Sequence, residues 1–157
     1  MSSYKAGFLT DKKLKILSNG VAAGATTVDL GTVDMTSGGK FDKVTCLVHL
    51  TTVVDAGTLR LRAYTCDDAG GTNPDLVDDV AGAEGQTATI TAATSSNKLM
   101  ALTIVKPKTP YVNFKLERAT QNSTIGSAIA ILEGPRDEAV PTASQTDVLA
   151  SAVGLHG

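Results

Sequence analysis

The chain has 157 residues, with 14 basic and 16 acidic side chains, a net charge of −2 and a pI of about 5.6. This length suits one domain, and such a chain buries roughly 68–70% of its unfolded surface, enough to fold without disulfides or a metal. The balanced charge excludes nucleic acid as a main partner, because phosphates are neutralised by clustered Lys and Arg. No run of about 20 apolar residues is present to cross a membrane as a helix.

Apolar residues make up 42% of the chain but aromatic residues only 4%, and there is no Trp. The core is therefore expected to consist of Val, Leu, Ile and Ala, and a core of such small residues favours further burial against a second copy of the chain. The first residues lack the basic segment, long apolar run and cleavage site of a secretory signal, so we expect the protein to be made and kept in a cytoplasm until it joins something larger.

Residues 1–25 are predicted to form an N-terminal arm, whose "LTDKKLKIL" stretch fits either a short helix or a strand. From residue 26 onward, alternating and β-branched runs bounded by turn residues predict strands. The predicted strands are Thr26–Met35 (with Gly31 as a bulge), Phe41–Val53, Thr58–Cys66, Gln86–Ala92, Lys98–Val105, Tyr111–Arg118 and Ile125–Glu133.

Turns recur about every 8–12 residues, and no long helical pattern alternates with the strands. The predicted fold is therefore all-β: an antiparallel β-sandwich or jelly roll of seven to eight strands over residues 26–134, with extended N- and C-terminal arms. In the C-terminal arm, residues 135–157, Val148, Leu149, Ala152 and Val153 fit one side of a short helix. Such a segment either frays or docks on a neighbour.

A long acidic excursion separates the strands that end at Cys66 and begin at Gln86. Asn73 followed by Pro74 suits a helix start, and one or two helical turns are predicted across residues 74–81. The acids of the excursion do not match the spacing of a calcium loop. We therefore predict solvated carboxylates, and no metal or other cofactor.

The stretch from Lys43 to Asp68 is predicted to be a hairpin carrying both cysteines. A three-residue turn would place Cys46 opposite Cys66, as turn chemistry favours. A two-residue turn would put the two thiols on opposite faces, as the hydrophobic pattern favours. With a cytoplasmic origin, two free thiols are the expected outcome.

Catalytic motifs are missing from the sequence. The only histidines are His49 and His156, and there is no metal-binding His or Cys pair, phosphate loop or nucleophile elbow. His49 and Cys46 are three positions apart on one strand, so their side chains leave opposite faces. The sequence therefore predicts a protein that is not an enzyme.

Arg60, Arg62 and Tyr64 alternate with apolar residues and are predicted to share a face with His49, which would make His49 a partner of Tyr64 or an outward polar residue. This face is either an ordinary solvated sheet surface, with arginine stems covering apolar atoms, or a protein interface, where Tyr and Arg are enriched.

Over residues 26–141, the chain resembles the jelly-roll decoration (cement) proteins of tailed bacteriophage capsids. The opening "VDLGTVDMTSGGKFDKVTCLVHL" is similar to the first strands of that group, and "YVNFKLERATQNSTIGSAIAILEGPRDEAVP" to its closing unit. In the closing unit, an extended strand ends in Arg118, and a small-residue strand leads to Arg136 and Pro141.

The resemblance implies a virion structural protein that binds the outside of a capsid, commonly as a homotrimer, and bridges neighbouring major capsid subunits. The alternatives are a sandwich-type module that binds carbohydrate or a receptor, and a head–tail completion component. The candidate contact residues are Arg60, Arg62, Tyr64, His49, Arg118, Arg136, Val148, Leu149 and Val153.

Overall fold

A computed structural model describes residues 12–24, 26–36, 40–77, 85–87, 89–119 and 123–135. Within these ranges the chain forms eight strands and one short 3-10 turn at Ala93–Ser95. The strands are β1 (Lys12–Ser18), β2 (Thr27–Asp34), β3 (Phe41–Thr52), β4 (Leu59–Cys66), β5 (Asp75–Leu76), β6 (Lys98–Val105), β7 (Tyr111–Arg118) and β8 (Thr124–Pro135).

The strands form two four-stranded antiparallel sheets. Sheet A has the order β1-β8-β3-β6, and sheet B has the order β2-β7-β4-β5. The predicted all-β sandwich is confirmed. Gly31 lies at the expected bulge in β2, where the register against β7 shifts after Asp29.

The core lies between the two sheets and is built from the alternating apolar residues of each strand. Sheet A contributes Val44, Cys46 and Val48 from β3, all fully buried, together with small residues of β8. Sheet B contributes Leu61 and Phe114, the latter being the largest fully buried side chain. The expected core of Val, Leu, Ile and Ala is present, with few aromatic rings.

The predicted hairpin between β3 and β4 is wrong. The two strands lie in different sheets, and residues 53–58 carry the chain from one sheet to the other. Each strand has one apolar face, and these faces pack against each other across the core instead of lying side by side in one sheet. The question of hairpin register therefore disappears, and Cys46 and Cys66 are both free and buried.

Three other segments can be compared with their predicted structure. Lys12–Ser18, within the predicted arm, is a strand, one of the two predicted alternatives, and it pairs along β8, whereas residues 1–11 lie outside the described part. The predicted helix after Asn73 is the two-residue strand β5 in its described portion, because Asn73 turns the chain with a φ of 49°. In place of the strand predicted over residues 86–92, the described residues of this range form isolated bridges to β4 at Gln86 and Ile90.

Candidate interaction surfaces

The outer face of sheet B carries the predicted arginines, and both contact one carboxylate. Arg60 and Arg62 lie on β4 opposite Glu117 and Lys115 of β7. Glu117 Oε2 lies 2.8 Å from Arg60 Nη2 and 3.2 Å from Arg62 Nε. Both arginines are therefore half-buried and paired within their own chain.

Tyr64 continues this face toward the other end of β4. The ammonium of Lys115 lies 4.9 Å from the centre of its ring, within the range of a cation–π contact. Beside it, Asn113 donates from Nδ2 to Asp29 Oδ1 at 2.8 Å and to Thr32 Oγ1 at 3.2 Å. The outer face of sheet B is thus a polar surface with several internal ion pairs and hydrogen bonds, although the buried Arg62 Nε and Asn113 Oδ1 atoms make no hydrogen bond.

The described part of the acidic excursion that follows β4, residues 67–77, contains a turn held by Asp68. Asp68 accepts from the hydroxyl of Thr72 at 2.7 Å and from the backbone N–H of Gly70 at 2.8 Å. The Thr72 hydroxyl, followed by the backbone donors, lowers the pKa of this carboxyl. Among the described residues, no group of three His, Cys, Asp or Glu side chains is placed to hold a metal ion.

Arg118, a predicted contact residue, is buried with only 2% of its surface exposed. Its Nη1 donates to the carbonyl of Ser123 at 2.6 Å and to that of Ala22 at 2.9 Å. Loss of hydration lowers the pKa of its guanidinium. Because these bonds hold two loops of its own chain, Arg118 is a structural residue and cannot reach a partner.

A shallow cleft of about 370 Å³ lies beside the Arg60–Glu117 pair. Four threonines line it, and none of its described lining residues is aromatic: Thr26, Thr27, Thr58, Arg60, Thr89, Glu117, Arg118 and Ala119. Its volume is at the lower end for small-molecule sites. The cleft lacks the aromatic platform on which sugars commonly stack.

His49 lies on the opposite side of the sandwich from Arg60, Arg62 and Tyr64, so the predicted shared face is wrong. It is on β3 in sheet A, paired with Leu99 and Ser127, whereas the arginines are in sheet B. The ring lies over Gly126, where an added Cβ would come 2.8 Å from Nδ1. His49 is therefore a half-buried outward residue fitted against β8, and it does not contact Tyr64.

The outer face of sheet A is mostly apolar. Directly paired residues share a face, so the register places the outward side chains in rows across the four strands. The two central rows contain no charge: Leu14, Ile131, Thr45 and Thr103 in one, and Ile16, Ile129, Leu47 and Ala101 in the other. Ile16 is 44% exposed, and at the β6 edge Leu99 and Val105 are 67% and 61% exposed.

Among the described residues paired across this face, the outward charged side chains lie in one end row. Glu133 of β8 forms ion pairs with Lys12 of β1 and with Lys43 of β3. Hydrogen bonds from Lys12 and then Lys43 hold the pKa of the Glu133 carboxyl below its usual value. These three side chains border one end of the apolar rows, and the carboxylate among them is paired with both lysines.

Sequence reasoning missed this apolar face, although the sequence contains a sign of it. The near-continuous apolar run in β8 indicates a strand covered on both faces, as is usual in a parallel sheet. In an antiparallel sandwich, one face of a strand is normally solvated. An apolar outer face in such a sheet marks a surface that something else covers.

Four predicted contact residues, Arg136, Val148, Leu149 and Val153, lie outside the described residues. Within the described part of the chain, no helix has the length and apolar character needed to span a membrane.

No protein-family profile matches the sequence, and no curated protein matches it. Among solved structures, the infectious bursal disease virus VP2 subviral particle aligns with a TM-score of 0.44 at 12% identity, over 78% of this chain and 32% of that one. A xylan-binding module, CBM15, aligns with a TM-score of 0.38 at 10% identity, over 79% of this chain and 98% of that one. Neither likeness bears on what this chain does.

Proposed function

We propose that this protein is a virion structural protein that decorates the outside of a tailed-phage capsid and bridges neighbouring major capsid subunits. The observation that carries the proposal is the contrast between the two outer faces of the sandwich. Sheet B presents charged and polar side chains, several of them paired within the chain, whereas sheet A presents two uncharged rows. An apolar outer sheet face is suited to pack on another protein surface.

The area of the outer face of sheet A indicates how strongly a single copy could bind. Strands about 4.8 Å apart that rise about 3.3 Å per residue give an outer face of roughly 400 Å² in projection. A stable interface buries about 800 Å² on each partner. The face of one copy is therefore too small for tight binding by itself. On a shell that repeats the same surface many times, linked copies gain strength through avidity.

Binding to heads purified from the phage that encodes the chain tests the proposal. We expect the unsubstituted protein to co-sediment with the heads. Ile16→Lys places a charge in an uncharged row, at an exposed position on an edge strand. We expect it to weaken binding at least about tenfold, the equivalent of about 1.4 kcal/mol. Thr27→Lys makes the matched change on β2, on the outer face of sheet B, and should bind normally.

Two results would overturn the proposal. One is no co-sedimentation of the unsubstituted protein, particularly if it binds soluble glycans instead. The other is a loss of binding in Thr27→Lys with none in Ile16→Lys, which would place the contact on sheet B. Urea unfolding of both variants excludes misfolding as the cause.

A further inference from the structure

The two edge strands of sheet B, β2 and β5, carry features that hinder pairing with another strand. β2 has its bulge, where Asp29 accepts from the N–H of Gly31 at 2.8 Å. β5 has two residues and follows Pro74. Inward charges, bulges and short length are the usual protections of an edge.

β6, which lies beside β3 at one edge of sheet A, has none of these features. It is eight residues long and pairs with β3 in a continuous register without a bulge. From Leu99 to Val105 it carries no charge and no proline. No described strand pairs with its other edge. A long, regular, apolar edge of this kind is a ready template for an added strand.

The backbone groups that face this free edge can be assigned from one hydrogen bond. Lys106 N, just after β6, donates to the carbonyl of Asp42 in β3 at 2.7 Å. Lys106 and Asp42 are therefore a hydrogen-bonded pair of the ladder between β6 and β3. Bonded pairs alternate along an antiparallel ladder. The residues that turn their N–H and C=O groups outward are therefore Leu99, Ala101, Thr103 and Val105, whose side chains also lie on the apolar outer face.

The charges around β6 indicate the chemistry of the partner strand. Lys98 begins the strand, and Lys106 and Lys108 follow it. All three are exposed, and none forms an ion pair with a described residue. A second copy of β6 paired antiparallel about Leu102 would set Lys98 against Lys106 of the other copy, which is unfavourable. The free edge therefore fits a strand with carboxylates at its ends.

We propose that β6 accepts an extended segment of the capsid subunit as a fifth strand of sheet A, and this rests on the proposed function above. The segment has apolar residues at alternate positions and an acidic residue near each end. The added strand would continue the uncharged rows and enlarge the apolar face, which is too small for a stable interface without it. Strand addition would provide directional main-chain hydrogen bonds, with side chains setting the specificity.

Ala101→Pro tests strand addition most directly. It removes an N–H from the free edge and leaves the bonds to β3 intact, a placement that sheets tolerate on edge strands. Ala101→Ser keeps the N–H at the same exposed site and is the matched control. We expect Ala101→Pro to lose at least about tenfold in binding to purified heads, and Ala101→Ser to bind normally.

Amide hydrogen exchange of the unsubstituted protein provides a second readout that needs no variant. The amides of Leu99, Ala101, Thr103 and Val105 should exchange more slowly on heads than in solution. Equal binding by both variants, or unchanged exchange at these amides, would overturn strand addition and leave the proposed function standing. No binding by the unsubstituted protein would overturn the proposed function itself. If the free unsubstituted protein is a dimer and the Ala101→Pro variant is a monomer, the free edge of β6 pairs with a second copy of the chain. That result would overturn the proposal that the partner is the capsid subunit.

Discussion

At the scale of single residues, the guanidinium of Arg118 joins two loops that are far apart in sequence, through the carbonyls of Ala22 and Ser123. Removing the charged donor leaves the carbonyl of the buried Ser123 unsatisfied and breaks the link to Ala22, which is exposed. We therefore expect Arg118→Met to lower the free energy of unfolding by about 2–4 kcal/mol, measured by urea denaturation.

Arg60→Met is the matched control for this prediction, because Arg60 is part of a half-exposed ion pair on the outer face of sheet B. It should cost no more than about 1 kcal/mol. If both variants lose the same small amount, the structural role assigned to Arg118 is wrong.

Cys46 is the buried thiol of β3, and burial raises its pKa from 9.0 to about 12. The folded protein therefore holds this proton more tightly than the unfolded chain does, and stability falls as the pH rises from about 9 toward 12. The slope approaches about 1.4 kcal/mol per pH unit. Urea unfolding at several pH values should show this extra loss in the unsubstituted protein and not in Cys46→Ala. Parallel curves would contradict the prediction.

At the scale of strands, Glu133 connects β1, β8 and β3 through Lys12 and Lys43. Because its pKa is lowered in the folded state, its contribution to stability is present above the ordinary pKa of a glutamate and disappears as the pH falls through the folded value. Between pH 6 and pH 3, thermal unfolding should therefore show a larger loss for the unsubstituted protein than for Glu133→Gln. An equal loss in both proteins would mean that the ion pairs contribute nothing.

Alternation in the sequence predicted most strands but not their partners. β3 and β4 have the same apolar pattern whether they lie side by side in one sheet or face each other across the core. The six residues between them permit either arrangement, and the choice depends on the strands that each one meets. β3 pairs with β8 and β6, and β4 pairs with β7, all from distant parts of the chain. Such long-range pairings leave no local mark in the sequence.

At the scale of the whole molecule, the sequence pattern correctly placed Arg60, Arg62 and Tyr64 on one outward face. It could not show which residues these side chains contact. Glu117, which pairs with both arginines, is 57 residues from Arg60. The apolar face of sheet A depends on four strands being in register. From the sequence, only the near-continuous apolar run of β8 indicated that a strand of this sandwich is covered on both sides.

Hydroxyl-radical footprinting of the free and head-bound protein most directly tests the central claim, that the outer face of sheet A is the docking surface. Ile16, Leu99 and Val105 report on this face, and Tyr64 and Tyr111 on the outer face of sheet B. We predict that labelling of the three aliphatic residues falls on binding while labelling of the two tyrosines is unchanged. Protection of the tyrosines, with full labelling of Ile16, Leu99 and Val105, would contradict the account.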